Sequence, residues 1–120
     1  MTRRLENKVA IVTGAAHGIV AAIATRLAAD GARVLVADIE GGAARIRADV
    51  ISDQGGTADA ISVDVRERAQ AEAAVERAVE LWGRLDIQVS NAGITDRAPF
   101  LEMDDDLWNR VIATHLTGAF

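Results

Sequence analysis

Short apolar runs alternate with longer helical segments along the whole chain, and this alternation limits the possible folds more than any other feature. Four strands are predicted, with the sequences KVAIVTG, RVLVAD, ADAISVD and RLDIQVSNAG. Helices are predicted over about 18–30, 40–54 and 66–82, and from about 104 onward. Strands that alternate with helices form a parallel sheet with right-handed crossovers. The first strand is apolar throughout, which predicts helices on both faces of that sheet.

Apolar side chains at helical spacing indicate the faces that the helices bury. The predicted buried faces are Ile23, Ala24, Leu27 and Ala28 in the first helix, and Ala71, Val75, Ala78 and Trp82 in the third. The fourth helix has apolar residues on two sides, with Leu107 and Val111 on one and Trp108 and Ile112 on the other. Such a helix usually lies between its sheet and another surface, and a second copy of the chain is one candidate.

The length and composition favour one soluble domain over residues 1–120. The chain has 120 residues, of which half are apolar and 26% are charged. A net charge of -5 with scattered basic residues argues against nucleic acid or an anionic membrane as a partner. There is no cysteine, so no disulfide and no cysteine-ligated metal are expected. No apolar stretch has the length of a membrane span and no signal peptide precedes the first strand, so a cytoplasmic location is expected.

The segment TGAAHGIV, residues 13–20, joins the first strand to the first helix. Gly14 permits a tight turn, and Gly18 allows a pyrophosphate to approach the backbone at the start of the helix. Unpaired amides and the helix dipole favour an anion there. Two glycines also fit a plain turn without a ligand, so the segment needs support from elsewhere in the chain.

Polar residues at the ends of the other strands supply that support. Asp38 ends the second strand, 20 residues after Gly18, which is the spacing of an acidic residue that accepts hydrogen bonds from the adenosine ribose. Its charge would repel a 2′-phosphate and so favour NAD over NADP; a helix cap or a solvated strand end is the less favoured alternative. Asp64-Val65 and residues 90–93 end the third and fourth strands, where ligands of open parallel sheets bind.

These segments together resemble the N-terminal half of the short-chain dehydrogenase/reductase family, and the sequence is similar to 3-oxoacyl-ACP reductases. The matching stretches are VAIVTGAAHGI, VLVADI, VDV, LDIQVSNAG and WNRVIATHLTGAF, in the family's order and spacing. The resemblance implies a Rossmann-like three-layer α/β/α fold with four parallel strands in the order 3-2-1-4. It also implies an oxidoreductase that moves a hydride between NAD(P) and an alcohol or ketone.

The same resemblance implies a role for each position at the strand ends. One group would line the pyrophosphate and ribose: Gly14, His17, Gly18 and Ile19. Asp38, with Ile39 beside it, would hold the adenine ribose, and Asp64 and Val65 would contact adenine. Asn91, Ala92 and Gly93 would let the backbone approach the ribose on the nicotinamide side.

Four residues depart from the family's pattern: Val20, Gln88, Ser90 and His115. Val20 replaces the third glycine of the loop. If it faces the first strand, overpacking would cost about 1–3 kcal/mol of stability. If it faces the pyrophosphate, a loss of about 3 kcal/mol would weaken cofactor binding roughly a hundredfold. His115 occupies an asparagine position of the family's proton relay and is at most a weak catalytic candidate.

The resemblance also indicates what the chain does not contain. Family members are about twice this length, and their catalytic serine and Tyr-x-x-x-Lys pair lie in the second half. This chain has no tyrosine, Lys8 is its single lysine, and Ser62 and Ser90 precede the substrate region. A catalytically incomplete, NAD-binding half is therefore predicted, and a degenerate non-enzymatic module that binds nucleotide weakly is the alternative. Self-association is expected through the fourth helix or the exposed edge of the fourth strand.

Overall fold

A computed structural model of the chain describes residues 5–14, 18–90 and 105–113. The elements are β1 (Val9–Thr13), α1 (Gly18–Ala29), β2 (Arg33–Asp38), α2 (Gly41–Asp53), β3 (Thr57–Ser62), α3 (Arg68–Trp82), β4 (Ile87–Val89) and α4 (Asp105–Ile112). Every predicted strand and helix is present, and α1, α2 and α3 end within a few residues of the predicted positions. No described helix combines the length and the apolar character that a membrane crossing requires.

The four strands form one parallel sheet in the order β3-β2-β1-β4. In the register, Val9 lies opposite Arg33 of β2, and Ala10 lies opposite Ile87 of β4. The predicted α/β fold and the strand order 3-2-1-4 are therefore confirmed. Because all the strands run in the same direction, the residues that follow them meet on one side of the sheet. These residues, Gly14, 38–40 and 63–66, are called the carboxyl rim below.

Two apolar clusters hold the helices to opposite faces of the sheet. Alternate residues of β2 point to opposite faces, so Val34 and Val36 join one cluster while Leu35 and Ala37 join the other. The first cluster packs α1 and α2 against the sheet, and the second packs α3. The expected burial of β1 on both faces is correct, since all five of its residues are buried.

The buried faces of α1 and α3 differ in part from those predicted. In α1 the buried residues are Val20, Ala21, Ala24 and Ala28, and in α3 they are Ala74 and Ala78. Ile23 and Val75 were predicted to be buried, yet both are exposed. Alanines let a helix backbone approach the sheet closely, so the helices turn their small residues inward and leave these larger side chains outside.

The fourth strand lies at one edge of the sheet. It is only three residues long, and β1 is its hydrogen-bonding partner within the described part of the chain. Gln88 is exposed there, and its amide donates to the Ser90 hydroxyl at 3.2 Å. At the start of β1, the Asp86 carboxylate accepts a hydrogen bond of 2.9 Å from the Val9 N–H and so fixes the register of β4.

Candidate cofactor-binding site

The two glycines on either side of residues 15–17 have backbone conformations that suit a phosphate-binding loop. Gly14 and Gly18 both have a φ of 67°, a conformation that favours glycine because a Cβ atom would be strained there. A Cβ placed on Gly18 would meet no atom of the described residues within 4 Å, so the space beside Gly18 is open with respect to that part of the chain. The N–H groups of that turn have no partner within the helix, which makes the position suited to an anion.

Val20 points away from this space and into the protein core. Its side chain is 6% exposed and belongs to the same apolar cluster as Val12, Ala24 and Val34. Of the two orientations considered from the sequence, the structure therefore has the one that faces the first strand. Its neighbour Ile19 is 83% exposed at the start of α1. Val20 therefore does not obstruct the open space in front of Gly18.

Asp38 ends β2, next to this glycine turn. One of its carboxylate oxygens, Oδ1, accepts a hydrogen bond from the Glu40 N–H at 3.0 Å. The backbone carbonyl of Asp38 accepts from the Val63 N–H at 2.9 Å, which joins the end of β2 to the segment after β3. Ile39, the next residue, is 61% exposed and presents an apolar surface at the rim.

The turn after Asp38 is held in place by β3. The Ser62 hydroxyl donates to the Ile39 carbonyl at 3.3 Å. Helix α2 begins at Gly41, where an added Cβ would come within 2.9 Å of the Ser62 Cβ. Contacts with the end of β3 thus hold the residues from Asp38 to Glu40 in place. The Ser62 side chain thus contacts the turn that follows Asp38.

Asp64 lies on the same rim, in a short loop between β3 and α3. The Arg66 side chain donates to its carboxylate from Nη2 to Oδ2 at 2.7 Å and from Nε, which is shared between Oδ1 at 3.0 Å and Oδ2 at 3.2 Å. The Arg66 N–H also donates to Oδ1, at 3.0 Å. The Gln70 side-chain carbonyl accepts from the Asp64 N–H at 2.8 Å. Hydrogen bonds to both the backbone and the side chain of Asp64 therefore hold the loop in place.

The charge state of Asp64 follows from this pairing. The side-chain hydrogen bonds from Arg66 outweigh partial burial and hold the pKa of Asp64 below its ordinary value. Asp64 is consequently an anion at neutral pH. Val65, which follows it, is half-buried and packs against the apolar cluster beneath α3.

The structure brings seven of the predicted site residues to one rim and leaves five outside its described part. Those on the rim or at the adjoining start of α1 are Gly14, Gly18, Ile19, Asp38, Ile39, Asp64 and Val65. Those outside the described residues are His17, Asn91, Ala92, Gly93 and His115. Sequence reasoning missed Arg66 and Gln70, both of which contact Asp64. The spacing Asp-x-Arg directly after a strand could have indicated the first of them.

The rim presents a different kind of surface at each strand end, in order along the sheet. The first turn of α1 has N–H groups without a partner inside the helix, which suit an anionic group. The carboxylate at the end of β2 can accept hydrogen bonds from ribose hydroxyls. The exposed Ile39 and the half-buried Val65 provide apolar surface toward β3, on the side where a base attached to that ribose would lie.

Comparison with known proteins identifies the family. Residues 8–120 match the model of the short chain dehydrogenase family, so the chain belongs to that family. An uncharacterised oxidoreductase of Methylorubrum extorquens is 42% identical over 117 residues, which are 96% of this chain and 47% of that protein. The galactitol 2-dehydrogenase of Agrobacterium fabrum is 42% identical over 115 residues, covering 96% of this chain and 44% of that protein.

Solved structures agree with this assignment. A short chain dehydrogenase from Mycobacterium avium superposes with a TM-score of 0.91 at 39% identity, over 96% of this chain and 44% of that one. The chain thus spans about half the length of the relatives it matches. It corresponds to the N-terminal, cofactor-binding part of a short-chain oxidoreductase, and members of this family bind NAD(P).

Proposed function

We propose that this chain binds NAD as the cofactor portion of an oxidoreductase that acts on an alcohol or ketone. The observation that supports this most directly is the position of Asp38, at the end of β2 and beside the glycine turn. When bound, the cofactor supplies the nicotinamide ring that exchanges a hydride with the substrate. The residues of this chain would bind and orient it.

The proposed residue roles follow the order of the rim. Gly14 and Gly18, with His17 and Ile19, hold the pyrophosphate and the adjoining ribose. Asp38 accepts hydrogen bonds from the adenosine ribose, and Ile39 contacts the base. Asp64 and Val65 form the far side of the adenine site. Asn91, Ala92 and Gly93 serve the nicotinamide ribose.

A preference for NAD over NADP follows from the charge at the end of β2. NADP carries a phosphate on the 2′-oxygen of the adenosine ribose, where NAD has a hydroxyl. A carboxylate accepts a hydrogen bond from that hydroxyl but repels the phosphate. Asp38 therefore favours NAD, and the negatively charged Glu40 two residues later acts in the same direction.

The chain by itself is proposed to hold the cofactor without completing the reaction. The acid/base tyrosine of the family has no counterpart, because the sequence contains no tyrosine. Lys8 lies just before β1, at the end of the strand opposite to Gly14. Six residues of strand span about 20 Å, so this lysine is far from the proposed site. Reduction of NAD by the 120-residue chain with a secondary alcohol would contradict this part of the proposal.

Calorimetric titration of NADH and NADPH into the wild-type chain tests the cofactor assignment. We expect NADH to bind at least about tenfold more tightly than NADPH, since a hydrogen bond to a charged group contributes about 1.5–3 kcal/mol. Asp38→Asn retains an oxygen for the Glu40 N–H but removes the charge, so it should weaken NADH binding and narrow the difference between the two cofactors.

Asp53→Asn is the matched control, because Asp53 is an exposed carboxylate at the far end of α2. This variant should bind both cofactors as the wild type does. Equal affinity of the wild type for NADH and NADPH would contradict the NAD preference. An absence of heat with either cofactor at millimolar concentration would overturn the binding function and favour a degenerate module.

We further propose that the chain self-associates, through α4 or through the edge of β4. The hydrogen-bonding groups on the outer side of β4 can pair with another strand. Val75 and Val79 of α3 are also exposed, on consecutive turns of the helix. Burial of these two valine side chains against a second copy of the chain would also stabilise a dimer.

A further inference from the structure

We propose that Ser62 is a positioning residue for the cofactor. Through one peptide unit, its hydroxyl orients the Asp38 carboxylate that is proposed to hold the adenosine ribose, and it thereby contributes to the preference for NAD over NADP. This inference rests on the proposed function, because it concerns the orientation of the same carboxylate. It adds to that function by assigning part of the cofactor affinity to a side chain on the neighbouring strand.

Ser62 ends β3, directly beside the end of β2. The two strands are parallel, and in their register Ser62 lies opposite Asp38. The next residue, Val63, donates its N–H to the Asp38 carbonyl at 2.9 Å, so the pairing continues past the last residue of β3. The backbone of Asp38 therefore has a fixed position relative to Ser62.

The peptide unit that joins Ile39 to Glu40 is hydrogen-bonded at both of its ends. Its carbonyl oxygen, which belongs to Ile39, accepts from the Ser62 hydroxyl at 3.3 Å. Its N–H, which belongs to Glu40, donates to Oδ1 of Asp38 at 3.0 Å. Because a peptide unit is planar, the direction of its C=O bond also sets the direction of its N–H bond. The Ser62 hydroxyl thus helps to set the rotation of the Asp38 carboxylate.

The rotation of this carboxylate determines how well it accepts hydrogen bonds from a ribose. Hydrogen bonds weaken steeply as their geometry departs from linearity. Those to an ionised group are roughly twice as strong as those between neutral groups, so a change in their alignment has a correspondingly larger effect. Hydrogen bonds in a chain also polarise one another, so donation to the Ile39 carbonyl strengthens the donation from the Glu40 N–H to Asp38.

Gly41 allows the turn to approach β3 closely enough for this contact. A Cβ added to Gly41 would lie 2.9 Å from the Ser62 Cβ and 3.3 Å from its Oγ. Cβ atoms in proteins do not come as close to other atoms as the first of these distances, so a side chain at this position would push the turn away from Ser62. The hydroxyl of Ser62 and the missing side chain of Gly41 therefore serve the same contact.

Calorimetric titration of NADH and NADPH into the 120-residue chain and its Ser62→Ala variant tests this role. Ser62 is exposed, so water can replace its hydroxyl in part. We expect Ser62→Ala to bind NADH about three- to tenfold more weakly, as for the loss of one hydrogen bond between neutral groups. The affinity for NADPH should change less, because the Asp38 carboxylate repels the 2′-phosphate. Reduced nicotinamide mononucleotide, which lacks the adenosine ribose, should bind equally to both chains.

Combination with Asp38→Ala separates positioning from a general effect on the structure. If Ser62 acts through the carboxylate, Ser62→Ala should change NADH binding by less than about twofold once that carboxylate is removed. Gly41→Ala provides a second variant that leaves the hydroxyl in place. It should weaken NADH binding in the same direction as Ser62→Ala. Circular dichroism of each variant verifies that it is folded.

Ser52→Ala is the matched control. Ser52 is exposed in the last turn of α2, far from the rim, and the same hydroxyl is removed. This variant should bind both dinucleotides as the wild type does.

The possible outcomes separate this inference from the proposed function. A Ser62→Ala variant that binds NADH as tightly as the wild type overturns the role of Ser62 and leaves the cofactor assignment intact. An equal loss of affinity with and without the Asp38 carboxylate also overturns it, since Ser62 would then act by another route. A wild-type chain that binds no NADH overturns the proposed function, and this inference with it.

Discussion

At the scale of single residues, the direction of a side chain decides whether a substitution in the glycine turn changes cofactor binding or stability. Val20 and Ile19 are neighbours at the start of α1, yet one is buried in the core and the other is exposed. A valine in place of a glycine would be harmful to cofactor binding only if it faced the phosphates. Because Val20 packs with Val12 and Val34, its effect belongs to stability, and we expect the gain from burying its side chain to exceed the overpacking cost considered from the sequence.

Val20→Ala should therefore destabilise the fold and leave NADH binding nearly unchanged. Removing two buried methyl groups leaves a cavity among close-packed neighbours, which should lower the free energy of unfolding by roughly 2 kcal/mol. Urea unfolding followed by circular dichroism measures this change. Ile19→Ala is the control and should alter the unfolding free energy by less than about 0.5 kcal/mol, as is usual for exposed positions. Tighter NADH binding by Val20→Ala would show that Val20 does obstruct the cofactor.

At the scale of elements, the edge strand β3 is joined to helices on both faces of the sheet by one carboxylate. Asp59 of β3 forms ion pairs with Arg45 of α2 and with Arg77 of α3, the latter at 3.1 Å. Burial opposes the ionisation of Asp59, but hydrogen bonds from the Ala60 N–H, Arg45 and Arg77 outweigh it and lower its pKa. Charged side chains on an edge strand also oppose its pairing with another strand.

Asp59→Asn should lower stability by about 1 kcal/mol at neutral pH, since both ion pairs are partly exposed. A carboxyl whose pKa is lowered on folding stabilises the fold above its unfolded pKa, and this contribution is lost as pH falls through the folded value. The difference between the wild type and Asp59→Asn should thus be constant above about pH 5 and shrink below about pH 4. Urea unfolding at a series of pH values measures it.

Asp49→Asn provides the comparison for this pH dependence. Asp49 pairs with the same arginine, Arg45, but its side chain is well exposed and it does not reach α3. Asp49→Asn should lower the free energy of unfolding by less than about 0.5 kcal/mol. If Asp49→Asn and Asp59→Asn were equally destabilising, the link between the two helical layers would contribute nothing to stability.

At the scale of the whole molecule, we expect a second copy of the chain to bind at the edge formed by β4 or at α4. Light scattering at tens of micromolar protein should report a species larger than a monomer. Gln88→Lys places a charge on the exposed edge of β4, where charged side chains oppose pairing between edges, and should shift the population toward monomer. A monodisperse wild-type monomer would contradict self-association. An oligomer unaffected by Gln88→Lys would exclude the β4 edge and favour α4.

The sequence by itself determined the fold class, the strand order through its family resemblance, and most positions of the rim. This was possible because strands and helices leave periodic apolar patterns, and because the ends of parallel strands must meet on one side of a sheet. The spacing from Gly18 to Asp38 and the polar ends of β3 and β4 were therefore readable before any contact was known.

Only the tertiary structure decided which way individual side chains point and what they contact. The helical pattern predicted that Ile23 faces the sheet, but the close approach of α1 buries Ala21 instead and leaves Ile23 exposed. The sequence left both orientations of Val20 open, and packing against Val12 chose the core. The pairing of Asp64 with Arg66 likewise depends on the path of a short loop. Local sequence patterns predict helices and strands. The orientation and contacts of individual side chains depend on the distances between those elements, and the spacing of apolar residues does not predict these distances.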